Sequence, residues 1–597
     1  MSPGRRRALL IAVAAFVLAF GIRIGNAPRA FAGGVPVISP LDELYHWKRI
    51  AFSAAHFPAV LDFDPDRGLA GAFCPWPPLY DLACAAAARL AGATGAYDVL
   101  SVIVWIPPLV ASLLVAAVVG LLARARGNAA ALLIAPLATA PMLVFPSLIG
   151  EIDHHWIEPF FALAILGATT LVLRARTNRD TAVAAIALSS AICVALFVQT
   201  ALIVAAALAL LSVLISGTRR EPFIAAASAF VASASVIAAY RLTRLPAYPD
   251  SAWFLGRVHV AALLGATVAA LAMSFLLRER RIVAIAIALI AGALTIAAIP
   301  GAAEALGRGA TFFHGDPWLD AILEFRPVWR PLHDILPYAL ALGLGAISSV
   351  ALLVARRHVP AAIFAVAYIA LTISSRRFAG VAVAVAAVTS WLLIVELDRK
   401  ALRLTAIIVL VAIPPLQLVA EWRSGTGADL TDGELRFLRA ANWLRDRGRP
   451  GRVIAPWSYG HMLDVIGKRP VVVDNFGTMP DEATFRMAYA TLVAHDDRRV
   501  AAFADRWNVA YVIIESPAVT LGSYVHFLSL PIESFVRADT ATTWTLRAWC
   551  WRAFFPAVRP PDGFHRVYGD GTLMILERDA TPARAPSPTT SRRGLLR

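Results

Sequence analysis

The fold of this chain is decided by the stretch Gly150-Glu151-Ile152-Asp153-His154-His155-Trp156-Ile157-Glu158, which separates two long apolar runs. Each run is long enough to cross a bilayer, so the stretch is predicted to be a short loop joining two membrane helices. It concentrates three carboxylates and two imidazoles at the membrane edge. Because ionisable groups are costly there, they indicate a functional site with partners elsewhere in the chain.

The composition is that of a polytopic membrane protein. Of the 597 residues, 59% are hydrophobic and 16% are charged, and the mean hydropathy is +0.67. The formal net charge is +15, but much of the arginine lies in short loops between apolar runs, the pattern that sets membrane orientation. We therefore expect no nucleic-acid partner. The four cysteines fit no metal motif. Cys74 and Cys84 could pair in an exported loop, but they lie ten residues apart in an Ala-rich segment, so they are predicted to be free thiols.

Thirteen apolar segments are long enough to cross a bilayer. They fall near 8–24, 98–122, 129–148, 157–174, 181–197, 199–215, 222–240, 258–278, 282–300, 336–355, 359–374, 378–396 and 402–420. The first segment follows three arginines and reads as an uncleaved signal-anchor. If those arginines are cytoplasmic, six alternate loops are all basic, as the positive-inside rule requires. This predicts a multi-pass protein of the inner (cytoplasmic) membrane with an extracytoplasmic C-terminus.

The composition also divides the chain into regions. The predicted regions are a transmembrane domain at 1–421 with external loops at 25–97 and 301–335, an extracytoplasmic domain at 422–579 and a disordered tail at 580–597. The second domain alternates a helical pattern with β-like runs, namely Asp432–Arg447 with 452–454, 470–474, 510–514 and 572–576. The predicted fold class is an α-helical polytopic membrane protein with a C-terminal α/β exported domain.

Three polar sites lie on the predicted external face, at Asp42, at the 150–158 hairpin and at Glu324 in the 301–335 loop. Carboxylates with imidazole suit a divalent cation such as Mn²⁺ or Mg²⁺, and the lack of cysteine argues against structural zinc. Asp153 and His155 point to one side only where the chain is extended, because in a helix they diverge by about 200°. Taken singly, each group has another interpretation, which is that it solvates a loop or snorkels at the interface.

Three further features bear on binding. The 301–335 loop is predicted either to close over the site as a lid or to be an ordinary connector. Arg376 and Arg377 are external and depart from the charge rule, so they pair the acidic cluster, bind lipid phosphate, anchor at headgroups or clamp an acidic substrate. In the C-terminal domain, Trp457-Ser458-Tyr459-Gly460 is either a peptide- or sugar-facing surface or a buried aromatic pair.

In their order and predicted sidedness, these residues resemble the catalytic subunit family of oligosaccharyltransferase, in its single-subunit bacterial and archaeal forms with a GT-C membrane fold. The matching positions are Asp42 with Tyr45-His46, Asp153-His154-His155 with Glu158, Glu324, Arg377-Phe378 and Trp457-Ser458-Tyr459-Gly460. The resemblance covers nearly the whole chain, and no single motif in it is specific.

The resemblance implies an inverting, metal-dependent transfer of a glycan to an asparagine. Its partners would be a polyprenyl-pyrophosphate-linked oligosaccharide, an acceptor polypeptide and membrane lipid. Asp42, Asp153 and His155 would hold Mn²⁺ or Mg²⁺, and His154 and Glu158 would support these ligands. Asp42 and Glu324 would also engage the acceptor amide. Arg377 would meet the peptide before the asparagine, and Trp457, Ser458, Tyr459 and Gly460 would bind the hydroxyl residue after it.

Two departures and two alternatives remain. Pro456 stands where the family has its first Trp, and Ser458 where it has Asp, and a hydroxyl accepts a hydrogen bond more weakly than a carboxylate. A different GT-C enzyme, moving a sugar from a polyprenyl phosphate to lipid, glycan or Ser/Thr, would not need Glu324 or the 457–460 string. A transporter of lipid-linked sugars would place charges within helices near the bilayer centre, whereas here they gather at loop ends.

Overall fold

A computed structural model describes residues 2–245, 247–276, 281–303, 307, 318–327, 336–423, 431–532, 536–539, 543–546, 548–555 and 557–579. The predicted tail at 580–597 and most of the predicted lid at 301–335 lie outside these residues. The chain divides into two compact units, namely Met1–Asp64 with Ala72–Thr431, and Pro65–Gly71 with Asp432–Arg597.

The first unit consists mainly of helices. Its longer apolar helices are Pro3–Arg23, Ala96–Ile103, Ile106–Arg126, Glu158–Arg174, Asn178–Val198, Ile203–Ser216, Arg220–Leu242, Arg257–Leu276, Arg281–Ala298, Leu336–Val354, Val359–Ser374, Ala379–Glu396 and Lys400–Arg423. Among the described residues, seven helical stretches are long and apolar enough to cross a membrane, and four shorter apolar helices accompany them. The predicted class of helical, multi-pass membrane protein is confirmed.

The predicted span at 129–148 is not one continuous helix. It is divided into the pieces Gly127–Leu133, Ile134–Thr139, Pro141–Val144 and Phe145–Ser147, of which the first and last are 3-10 turns. Prolines interrupt the segment because they lack the N–H that continues a helix. Arg23, at the end of the first helix, donates to the carbonyls of Leu143 at 2.8 Å and Ala138 at 3.3 Å. The first helix thereby holds the broken segment.

The segment at 25–97, predicted to be the first external loop, is folded rather than extended where the structure describes it. It contains the helices Ala27–Ala30, Asp42–Ala55 and Leu79–Leu90 and two small antiparallel ribbons, Phe31–Ala32 with Val35–Pro36 and Phe63–Asp64 with Ala72–Phe73. Asp42 and Glu43 occupy the first turn of their helix, where a carboxylate is favoured by the helix dipole. Cys74 and Cys84 are both free thiols, as predicted.

The second unit is an α/β domain around a four-stranded sheet. The strands, in spatial order, are Arg452–Ile454, Val509–Glu515, Leu573–Arg578 and Phe564–Gly569, with the first pair parallel and the others antiparallel. The remaining elements are the helices Asp432–Arg447, Gly460–Val465, Thr478–Leu492, Asp497–Trp507, Pro517–Phe527 and Trp549–Phe554 and the ribbon Val536–Asp539 with Thr543–Leu546. The predicted helix and three of the four predicted strands are confirmed.

The fourth predicted strand, at 470–474, is wrong. Val471 makes only isolated bridges, to Val453 and to Arg67, although Val471 and Val472 are buried like strand residues. A short buried apolar run has no periodicity that separates a strand from an irregular core segment. The edge strand Phe564–Gly569 was not predicted, because a histidine and an arginine interrupt its apolar residues and it has no continuous apolar run.

Gly460 lies where two backbones of the second unit approach closely. The turn Trp457–Tyr459 leads into the helix Gly460–Val465, whose first residue packs against the segment that ends at Asp474. A Cβ added to Gly460 would overlap the Cα of Asp474 and lie 2.6 Å from the Val473 carbonyl oxygen. Only glycine therefore fits this position without a shift of backbone.

We expect Gly460→Ala to destabilise the second unit by about 2 kcal/mol, because overpacking of this kind forces backbone shifts. The matched control is Gly522→Ala in the helix Pro517–Phe527, where an added methyl meets nothing within 4 Å. That change removes a helix-disfavouring glycine and is expected to be neutral or slightly stabilising. Thermal unfolding midpoints of the full chain in detergent measure both effects. Equal midpoints for the two variants would contradict the packing argument.

Candidate functional site

The backbone of the 150–158 hairpin is held from both sides. Gly150 has a φ of +94°, and an added Cβ would lie 2.6 Å from the Val37 carbonyl oxygen. Just before it, the Asn26 amide donates to the Ile149 carbonyl at 2.8 Å and accepts from its N–H at 3.3 Å. Asp153 then follows in an extended conformation, with φ −71° and ψ 154°, and caps the 3-10 turn His154–Ile157.

The extended conformation brings Asp153 and His155 to the same side. The Nε2 atom of His155 lies 3.2 Å from the Oδ2 atom of Asp153. On its other nitrogen, His155 donates from Nδ1 to Glu158 Oε1 at 2.8 Å. His155 therefore has a carboxylate at each nitrogen, and with a cation bound its proton would lie on Nδ1 and its Nε2 lone pair would face the cation. Metal-binding histidines typically have a carboxylate on the second nitrogen in this way.

Glu158 is in turn held by Arg377. The guanidinium Nη2 donates to Glu158 Oε1 at 2.6 Å, and both side chains are more than nine-tenths buried. The structure places Arg377 in a buried ion pair behind His155, so it pairs with the acidic cluster, one of the alternatives predicted for it. Its contact with an acceptor peptide stays a prediction. Glu158, predicted to support the metal ligands, occupies a position that fits this role.

His154 approaches the other oxygen of Asp153. Gln199 uses its Oε1 to accept from Ala201 N–H at 3.3 Å, so its Nε2 donates to His154 Nε2 at 2.7 Å. Nδ1 of His154 lies 2.8 Å from Asp153 Oδ1 and 3.0 Å from His46 Nε2. Asp153 thus has one oxygen, Oδ1, occupied by hydrogen-bond donors, while Oδ2 faces His155.

Asp42 and Glu324 belong to the same charged cluster. Burial, together with the negative charges of Asp153 and Glu324, raises the pKa of Asp42 to about 7. The described part of the Glu324 loop is anchored by backbone contacts, because Ser375 Oγ donates to the Glu324 carbonyl at 3.2 Å and Arg376 N–H donates to Arg326 O at 3.1 Å. The structure therefore brings all three predicted polar sites together.

The donor set fits a divalent cation. Within the part of the chain that the structure describes, two groups of potential ligands have their atoms close together, His46 with Asp153 and His154, and His154 with His155 and Glu158. Hydrogen bonds already engage Asp153 Oδ1 and Glu158 Oε1, which leaves Asp153 Oδ2 and His155 Nε2 facing each other. Burial and the crowding of carboxylates raise the pKa of Asp42, and a bound cation would relieve the crowding.

Several residues of the site were not singled out from the sequence. His46 was noted only as a neighbour of Asp42, yet it contacts Asp153 and is almost fully buried. Asp81 contacts His46 from 35 positions further along the chain, and no sequence spacing indicates this pair. Gln199 carried a usable signal, because it is a polar residue in an otherwise apolar turn between two helices.

The 457–460 string lies in the second unit. Tyr459 stacks on Phe437 with ring centroids 3.5 Å apart, and the Trp457 backbone N–H donates to Tyr489 Oη at 3.0 Å. Trp457, Ser458 and Tyr459 are all half-buried. The string therefore has features of both interpretations, the binding surface and the buried aromatic pair. Its tyrosine is packed in an aromatic stack, while part of each side chain is accessible.

Residues 10–303 match the family model of the oligosaccharyl transferase STT3, N-terminal. This N-terminal part of the chain is similar to the STT3 family. The protein is a glycosyltransferase, and its resemblance to oligosaccharyltransferase is confirmed. The matched region contains Asp42, Asp153, His155 and Glu158, so these residues lie within the part of the chain that matches the family model. The comparison with curated proteins found no match.

Solved structures of one archaeal protein share the fold. The oligosaccharyltransferase AglB from Archaeoglobus fulgidus, in complex with an inhibitory peptide and a dolichol-phosphate, has a TM-score of 0.74 at 18% identity, covering 91% of this chain and 74% of that one. The same enzyme tethered to an acceptor peptide with the NVT sequon has a TM-score of 0.70 at 18% identity, with coverages of 91% and 74%. Its complex with Zn and sulfate has a TM-score of 0.68 at 18% identity, with coverages of 90% and 73%.

The Arg377–Glu158 pair gives a stability prediction for this protein. Glu158→Gln or Arg377→Met alone breaks a buried ion pair, and each is expected to cost about 3–5 kcal/mol. The double variant removes both charges and is expected to be more stable than either single variant. Thermal unfolding midpoints of the four proteins in detergent form the cycle.

The control for loss of a single charge is Glu396→Gln. Glu396 lies 3.3 Å from Arg357, which is 63% exposed, and 2.9 Å from His358. Because these groups are partly exposed, the change is expected to cost at most about 1 kcal/mol. A double variant whose destabilisation equals the sum of the two single changes would show that the two charges do not stabilise each other.

Proposed function

We propose that this protein is a metal-dependent oligosaccharyltransferase. It moves a glycan from a polyprenyl-pyrophosphate donor to an asparagine of an exported polypeptide. The observation that carries the proposal is the opposition of Asp153 Oδ2 and His155 Nε2 at 3.2 Å, with Glu158 and Arg377 behind the imidazole. This arrangement lies within the region that matches the family model.

The structural relatives support the substrate classes. The archaeal enzyme has been solved with a dolichol-phosphate and an inhibitory peptide, and with a tethered peptide that contains an NVT sequon. By analogy we assign a polyprenyl-linked donor and an asparagine acceptor to this chain. The complex of the same relative with Zn supports a divalent metal, and we propose Mn²⁺ or Mg²⁺ because carboxylates dominate the donor set.

The proposed roles follow from charge and position. Asp42, Asp153 and His155 hold the cation, which when bound neutralises the pyrophosphate that leaves the sugar. Asp42 and Glu324 accept hydrogen bonds from the acceptor amide and orient its nitrogen toward the anomeric carbon. Burial of the cluster strengthens these interactions, because water no longer screens them. Arg377 contributes by holding Glu158, in addition to any contact with the peptide.

The proposed setting is the inner membrane, crossed thirteen times. The basic residues of six alternate loops orient the chain so that the 150–158 hairpin, the Glu324 loop and the C-terminal domain all face outward. An external site is what an exported acceptor and a lipid-linked donor require. The proposal therefore joins the charge pattern to the chemistry of the cluster.

We expect Asp42→Asn and Glu324→Gln each to lower glycan transfer to asparagine by about 100-fold or more, because each removes a charged acceptor from the reacting groups. Matched controls are Asp98→Asn, an exposed carboxylate that accepts from Gly95 N–H at 2.9 Å, and Glu482→Gln in a surface pair with Arg486. The assay uses purified protein, lipid-linked glycan extract, Mn²⁺ and an acceptor peptide.

Excess EDTA is expected to abolish the same transfer, and added Mn²⁺ to restore it, because the carboxylate cluster binds the cation directly. Full activity in chelator would overturn the metal assignment. Transfer to serine or threonine, or to a lipid, with none to asparagine would favour the polyprenyl-phosphate sugar transferase instead.

The acceptor specificity is expected to change on Ser458→Asp. A carboxylate accepts a hydrogen bond from the acceptor hydroxyl more strongly than a serine does, so preference for Asn-x-Thr over Asn-x-Ala should increase about tenfold. Ratios of kcat/KM for the two peptides measure this. The substitution Ser523→Asp on the exposed face of the helix Pro517–Phe527 is the control, and an unchanged ratio in Ser458→Asp would remove the 457–460 string from acceptor recognition.

A further inference from the structure

A ladder of alternating charges leads from the interior of the first unit to Asp153. Arg49 forms an ion pair with Asp81, Asp81 accepts from His46 Nδ1 at 2.6 Å, and His46 Nε2 lies 3.2 Å from Asp153 Oδ1. Arg49, Asp81 and His46 are at most 1% exposed. Buried charges are costly unless paired, so each member is stabilised by its neighbours and the ladder acts as a unit.

The position of His46 is fixed in more than one direction. Its ring stacks on Trp76, with centroids 4.0 Å apart and planes at 6°. Arg49, at the start of the ladder, donates to the carbonyls of Leu61 and Trp76, each at 3.3 Å. The imidazole therefore has no freedom to turn away from Asp153. Because a carboxylate lies at each nitrogen, both N–H groups of His46 donate.

The donors at Asp153 converge on a single oxygen. Oδ1 accepts from the His154 backbone N–H at 2.5 Å and lies 3.2 Å from His46 Nε2 and 2.8 Å from His154 Nδ1, and these two ring nitrogens are 3.0 Å apart. Oδ2 lies on the opposite side, 3.2 Å from His155 Nε2. A carboxylate whose Oδ1 is occupied in this way has only Oδ2 to offer a cation.

We propose that His46 is a positioning residue that restricts Asp153 to one-oxygen metal binding and thereby selects a small octahedral cation over Ca²⁺. Ca²⁺ takes six to eight oxygens at 2.3–2.6 Å and commonly binds a carboxylate through both, whereas Mg²⁺ requires fewer ligands at about 2.0–2.1 Å. Without His46, Oδ1 keeps only its contacts with His154, so Asp153 can rotate more readily and bind through both oxygens. The inference rests on the proposed metal site and adds its selectivity.

The test compares cation affinities of the purified full chain. His46→Phe keeps a ring on Trp76 but loses both donors, whereas His46→Gln retains an amide donor for Asp153. His56→Phe is the matched control, because His56 ends the same helix, Asp42–Ala55, and is exposed. Mn²⁺ binding is measured by electron paramagnetic resonance, and the Ca²⁺ affinity by competition in the same samples.

We expect His46→Phe to weaken Mn²⁺ binding about 10–100-fold, the usual effect of losing a group that orients a ligand. Ca²⁺ binding should weaken less, so that the ratio of the two affinities falls by about tenfold or more. His46→Gln and His56→Phe should keep the wild-type ratio.

The other outcomes are distinct. If His46→Phe leaves the ratio of affinities unchanged, whether or not both cations bind more weakly, the selectivity role of His46 is overturned while the metal site stands. If the unmodified protein binds neither cation, the proposed metal-dependent function fails, and the inference fails with it.

Discussion

The buried ion pair between Arg377 and Glu158 is the interaction on which the site depends most. Glu158 begins one apolar helix, and Arg377 immediately precedes another, Ala379–Glu396. In a membrane-spanning protein neither charge can be left alone, because an unpaired buried charge costs several kcal/mol. The two helix ends must therefore stay together, and His155, which donates to the same carboxylate oxygen, is held with them. The position of this proposed metal ligand is thus fixed by helix packing rather than by the loop itself.

The histidines and carboxylates around Asp153 impose a second constraint on the site. Asp153 is held by His46 and His154 on one oxygen, and it crowds Asp42 together with Glu324. Burial would raise the pKa of Asp153, but the neighbouring histidines instead hold it well below its usual range. Burial would likewise lower the pKa of His46, whereas Asp81 and Asp153 raise it to about 9. Asp153 is thereby kept ionised. Asp42 is instead repelled by its neighbouring carboxylates, and a bound cation would remove this repulsion.

The sequence predicts the helical class and the groups of the site well, because both leave local signals. Apolar runs identify membrane helices, and charges at their ends identify the hairpin, Asp42 and Glu324. The extended backbone at Asp153 was predictable, because only that conformation points the side chains of Asp153 and His155 to the same side. The supporting residues were less accessible, since the contacts of Asp81 with His46 and of Arg377 with Glu158 join distant positions. The prediction of a strand at 470–474 was wrong, because burial alone does not distinguish a strand from an irregular core segment.

The hairpin also owes its shape to a segment that sequence reasoning treated as an ordinary span. Prolines divide 129–148, and a broken helix leaves carbonyls without intrahelical partners, which in a membrane must be satisfied within the protein. Arg23 binds two of these carbonyls, and Asn26, one turn later, binds the backbone of Ile149 next to Gly150. The break thus requires polar side chains on the first helix end, and those side chains fix the start of the hairpin. The start of the 150–158 hairpin is therefore held by the same part of the chain that stabilises the interrupted helix.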